Sequence, residues 1–181
     1  DGVDGDTTGG LVGAAGSSGV FNYIKTIGGV TFNGATRRGS GTSNSDGSSS
    51  ANGQSAWDFA LTGSGDTFGV DGLAWGAGYG EAENGSQDVT AASADMGDDE
   101  HMTAFANYSY GPVTFGYQLS HIHKGAPGGV DQNIDAWGLA WNVNENLSIS
   151  YGERDVEFDN VSAANITETG EGLAIAYTMG S

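Results

Sequence analysis

Few residues in this chain are spaced to do covalent chemistry. Ser120 stands beside His121, the pairing expected of a nucleophile and its base. The surrounding residues alternate apolar and polar as in a strand, where neighbours point to opposite faces, so these two cannot meet. His121 and His123 share a face, but nothing near them in the sequence supplies a third metal ligand. Hard oxygen ligands are more plentiful. Asp95, Asp98, Asp99 and Glu100 fall in a segment without Lys or Arg and offer carboxylates to Ca²⁺. Asp1, Asp4 and Asp6 do the same without the spacing of an EF-hand loop. A solvated charge run is the simpler account of both. What remains is a sparse set of charges inside alternating segments: Arg37, Arg38, Asp58 and Arg154. Such groups need no reaction to act, since a water-filled passage selects solutes by its size and its charge.

The elements that hold these residues read as strands. Residues 1–19 are rich in Gly, Asp and Ser and read as loop. From residue 20 to 181 the chain runs in period-2 segments, about nine in all. Trp57, Phe59 and Leu61 alternate with Ala56, Asp58 and Ala60, and Trp137, Leu139 and Trp141 alternate with Ala136, Gly138 and Ala140. Parity sets Arg37 beside Thr31, Asn33 and Ala35, and Arg154 beside Ser148, Ser150 and Gly152. Both arginines therefore belong to the small, polar face; a solvated rim position is the other reading, because both come late in their segments. Arg38 replaces Arg37 on that face if the strand carries a bulge.

Composition narrows the class. The net charge of −18 excludes nucleic acid as a partner and any basic patch for anionic lipid. Gly accounts for 33 of 181 residues and Pro for 2, yet Gly does not recur every third residue, so collagen is excluded. Aromatics reach 10% in ordered alternation, unlike a disordered acidic chain. Cys is absent, which removes disulfides and thiolate metal sites. No stretch approaches the length of an apolar transmembrane helix.

A closed all-β, antiparallel transmembrane barrel satisfies all of this in one domain. Its strands hide hydrophobicity in every second residue, and its interior need not be apolar. The connections alternate between tight turns (GG, GSGD, GP, NEN) and long polar loops at 39–54, 80–100, 124–131 and 158–168. That is the asymmetry of bacterial outer-membrane barrels. Phe32, Tyr108, Tyr110, Phe115 and Trp141 lie beside the tight turns, with Trp75 and Tyr79 less closely, as a girdle at the membrane interface requires. A β-sandwich alternates too, but it would need short loops at both ends.

The segments FANYSYGPVTFGYQLSHI, IDAWGLAWNVNENLSISYGERDVEFD and GEGLAIAYTMG resemble the general porins of Gram-negative bacteria, in particular their acidic, Gly-rich branch. The resemblance covers residues 20–181 and implies a barrel of about 16 strands. It further implies a homotrimer in the outer membrane, among lipid and lipopolysaccharide, that passes small hydrophilic solutes and ions with no cofactor required. It also implies that Arg37 and Arg154 stand on the wall of a constriction, facing acidic residues of an inward-folded loop, for which 80–100 is one candidate. Two departures suggest a partial barrel: the odd strand count, and an end at Met179-Gly180-Ser181 where a terminal aromatic is usual.

Overall fold

A computed structural model describes residues 20–37, 55–82, 98–125, 129–160 and 163–179. The strands are β1 (Val20–Ile27), β2 (Val30–Arg37), β3 (Ala56–Ser64), β4 (Leu73–Ala82), β5 (Asp99–Tyr110), β6 (Val113–His123), β7 (Asp131–Asn144), β8 (Leu147–Asp159) and β9 (Ile166–Tyr177). They form a single antiparallel meander in sequence order, with no second sheet among the described residues. A sandwich is thereby excluded for this part of the chain. β1 and β9 do not pair with each other, so the nine strands make an open arc.

Turn chemistry explains the hairpins at one end. Gly28 and Gly29 both have positive φ, 59° and 83°, as a two-residue turn of the I′ kind demands. Gly111, at φ 56°, supplies the positive first position before Pro112. Asn144 accepts the Asn146 amide on its Oδ1 at 2.9 Å and closes the third tight turn. The β3–β4 connection is longer than the GSGD turn expected there. It runs through a 3-10 turn, Gly65–Phe68, held by the Val70 amide on the Gly65 carbonyl at 2.9 Å, before β4 starts at Leu73. Replacing Gly28 by Val is expected to cost about 1–2 kcal/mol, because an L side chain there meets the following carbonyl. Asn should cost less. Urea midpoints for folding into vesicles measure the difference, and equal midpoints for the three residues would contradict the turn assignment.

The acidic segments also shift. β4 persists to Ala82 and β5 begins at Asp99, so the long connection is 83–98 and not 80–100. β7 likewise begins at Asp131, and β8 continues to Asp159. Asp1, Asp4, Asp6, Arg38 and Asp95 lie outside the described residues.

Cross-strand pairing shows that the sheet is sheared as a barrel wall must be. The paired row from Ile27 passes through Val30, Gly63, Trp75, Ala106 and Tyr117 to Trp137. β1 turns at that row, yet β7 continues to Asn144 before it turns. The turns therefore step by about one residue per strand, which corresponds to a strand tilt of roughly 35–40°. Closure of a β-barrel needs a tilt in this range.

The two faces differ sharply. On one, Val113, Phe115, Tyr117 and Leu119 of β6 stand beside Trp141, Leu139, Trp137 and Asp135 of β7. Most of these large apolar side chains are exposed, with Val113 and Trp137 half-buried; Leu139 is 44% and Trp141 48% accessible. The buried hydrophobics among the described residues are only Ala56, Ile134, Ala136 and Val156. A water-soluble domain of this size would bury its large aromatics, whereas a barrel wall turns them toward lipid. This apolar belt is hereafter the outer face.

Candidate functional site

The inner face is built from the alternate residues of the same strands. One row reads Thr26, Thr31, Thr62, Gly76, Phe105, Gln118, Ala136, Arg154 and Gly170. The next reads Ile24, Asn33, Ala60, Gly78, Thr103, Ser120, Ile134, Val156 and Glu168. Small residues keep this face low, and hydroxyls satisfy one another across strands. Thr103 Oγ1 and Ser120 Oγ are 2.8 Å apart, and Gln118 Nε2 donates to Ser120 at 3.2 Å. Ser109 with Thr114, and Thr26 with Thr31, repeat the pattern at 2.9 Å.

Arg154 occupies this face opposite Ala136 and Gly170. Because β8 extends to Asp159, Arg154 lies near the middle of its strand and not at its end. The side chain is half-buried and engaged with a partner. Asp58 is on the same face, opposite Ala35 and Gly80. Arg37 holds the register position of Ala56, in the row that continues through Ala82 to Asp99. Asp58 and Arg154 are five strands apart in the arc and do not meet within the sheet.

The acidic residues do not converge. Asp99 and Glu100 are consecutive strand residues and point to opposite faces. The Asp99 carboxylate accepts Lys124 Nζ at 3.1 Å and the Gly125 amide at 3.0 Å. No group of three or more His, Asp or Glu among the described residues could hold a metal ion. Ser120 bonds inward to Thr103, whereas His121 lies outward, its Nδ1–H donating to Asn133 Oδ1 at 2.7 Å. Sequence parity had already separated that pair.

Above the belt, outside the membrane-spanning part of the strands, β6 is clasped to its neighbours. Lys124 ties to Asp99 of β5, while His123 Nδ1 lies 3.0 Å from the Asp131 carboxylate of β7. The hydrogen bond to Asp131 raises the His123 pKa, desolvation opposes it, and Asp131, Glu100 and Asp99 add further negative potential. For Asp131, burial pushes upward, but bonds from the Lys124 amide and from His123 outweigh it and hold the pKa below the ordinary 3.8. The histidine's contribution is thus complete below its unfolded pKa of 6.5 and fades as pH rises through the folded value. The aspartate's contribution is present above 3.8 and fades as pH falls through its folded value. A mildly acidic window is where the clasp is tightest. In an NMR titration, Asp131→Asn should move the His123 midpoint downward; an unmoved midpoint would remove the pair from the account.

The outer face carries two sets of aromatics. Phe32, Tyr108, Tyr110, Phe115 and Trp141 all lie there near the tight turns: Tyr108 pairs Phe115, and Val113 joins Tyr110 to Trp141. A second set stands at the opposite edge of the belt. Tyr117 O–H donates to Asp135 at 2.7 Å, Tyr151 to Glu171 at 2.8 Å and Tyr79 to Glu81 at 3.5 Å. Each ring lies in the belt and each hydroxyl reaches the first carboxylate beyond it, so the rings mark the upper interface. Tyr79 therefore belongs to this loop-side edge, away from the tight turns where its sequence neighbours had placed it.

A tilted meander with an apolar outer belt, two aromatic edges and a small polar inner face defines a transmembrane β-barrel wall of the outer-membrane type. Comparison with known families agrees: the family described as Gram-negative porin matches residues 1–181. The chain belongs to the Gram-negative porin family. Its members are outer-membrane channels and not enzymes. No curated protein matches the chain.

Proposed function

We propose that the chain walls a water-filled pore through which small hydrophilic solutes and ions diffuse passively across the outer membrane. The observation that carries this reading is the two-sidedness of the strands from β2 to β9. The belt commits one face to lipid, and the Gly, Ala, Ser, Thr and Asn positions of the reverse face then line an aqueous interior. Solutes sense Arg154 and Asp58 on that wall and Arg37 at the loop end of β2, with Arg38 next to it in the sequence. Homotrimeric assembly in a membrane of lipid and lipopolysaccharide follows by kinship with the family. No cofactor is needed for diffusion; calcium, where it binds, belongs to the acidic connection around Asp95 and Asp98.

Reconstitution of the full-length protein into planar bilayers tests this. Stepwise conductance that scales with bulk salt is expected. Folded protein that inserts without any steps would end the channel reading.

A further inference from the structure

Side chains that change charge near neutral pH are few enough to place one by one. The chain has three histidines and no cysteine, and histidine is the side chain whose ordinary pKa falls between pH 5 and 8. His121 and His123 stand on the outer face, against Asn133 and Asp131. His101 has the other parity. It pairs with Gly80 of β4 and Ile122 of β6, on the inner face with Thr103 and Phe105.

Along its row across the nine strands, among the described residues, Asp58 is the other ionisable group. Gly80 lies between the two, with Gly78 and Ala82 as its inner-facing neighbours on β4. No side chain of β4 longer than a methyl group therefore stands between the carboxylate and the imidazole. Two strand spacings, about 10 Å, separate their Cα atoms, which is one Debye length at about 0.1 M salt. The charges around them are engaged elsewhere or turned away. Asp99, two residues before His101 on β5, holds Lys124, which follows β6. Glu81 and Glu100 oppose each other on the outer face. Arg37 ends β2, three strands from His101 and one row nearer the loops.

We propose that His101, with Asp58 across Gly80, forms a proton-controlled selectivity element, which rests on the reading of the inner face as the wall of an aqueous pore. With the imidazole neutral, the pair presents one negative charge to passing ions. With the imidazole protonated, the two charges cancel and the same stretch of wall is neutral. The channel accordingly favours cations less as the pH falls, because charge on the wall sets ion preference.

Reversal potentials of the full-length protein in planar bilayers, at about 0.1 M potassium chloride and from about pH 8 to about pH 5.5 with EDTA present, test the proposal. The cation-to-anion permeability ratio should fall about twofold across that range, a modest change because β5 starts only two residues before His101 and the mouth is partly screened. His101→Gln should hold the high-pH ratio throughout, and His101→Lys should hold the low-pH ratio. These two variants read the same charge from opposite sides, so either decides the matter if the other fails to fold. Asp58→Asn at high pH should match the parent protein at low pH, since the pair is neutral in both. His121→Gln and His123→Gln should keep the parent's response. A parent ratio that does not change with pH overturns the proposal, as does a response that survives in His101→Gln or vanishes in His123→Gln. An unchanged high-pH ratio in Asp58→Asn overturns the pairing across Gly80. Conductance without a pH response fails this inference alone, whereas folded protein that never conducts fails the channel reading and this inference with it.

Discussion

Lysine at Leu139 is expected to cost about 2–4 kcal/mol of folding stability in bilayers, whereas lysine at the adjacent Ala140 should cost close to nothing. The contrast follows from one residue of parity. Leu139 stands on the outer face between Phe115 and Tyr151, near the middle of the belt. A charge there meets hydrocarbon and can reach neither interface without leaving its rotamer. Ala140 stands between Thr114 and Ser150 on the inner face, where an ammonium extends into water. Both substitutions add the same atoms to the same strand, so differences in β-propensity cancel. Reversible unfolding in urea from vesicles measures each cost. Equal penalties at the two positions would mean that this sheet does not separate lipid from water, and the belt assignment would fall with it.

The same parity made much of the fold legible in the sequence. Trp137, Leu139 and Trp141 against Ala136, Gly138 and Ala140 left no other period to choose, and Gly28-Gly29 and Gly111-Pro112 named their own turns. Polar residues at strand ends were harder to read. Asp99 and Glu100 look like loop because carboxylates rarely favour strands. The register nevertheless pairs them with Ala82 and Glu81, and Lys124, just past the end of β6, neutralises Asp99. That compensation joins residues distant in the chain, and no local pattern announces it. The loop-side tyrosine edge was hidden for the same reason. Tyr79 precedes its acceptor Glu81 by two residues, a signal open to inspection. Tyr117 finds Asp135 and Tyr151 finds Glu171 only once adjacent strands are in register. Arg154 illustrates the converse: its face followed from parity, but its height depended on how far β8 runs past it.

That height gives Arg154 the largest expected effect on transport. Arg154 stands on the inner wall with β8 continuing past it to Asp159, so the wall still shields it from bulk electrolyte, whereas Arg37 is the last residue of β2 and exchanges more freely with solution. At a few ångströms in water a unit charge is worth about 1 kcal/mol to a passing ion, or about a fivefold change in its occupancy. Arg154→Ala should therefore raise the cation-to-anion permeability ratio by about two- to fivefold at low salt, and Arg154→Glu should raise it further. The Debye length contracts from about 10 Å at 0.1 M to about 3 Å at 1 M, so the shift should shrink toward zero across that range. Arg37→Ala, at the loop end of β2, should change the ratio less. Reversal potentials across salt gradients in planar bilayers read all three variants. If Arg154→Glu leaves the reversal potential at 0.1 M where it was, the guanidinium is remote from the ion path, and the charge that governs selectivity lies elsewhere on the inner wall.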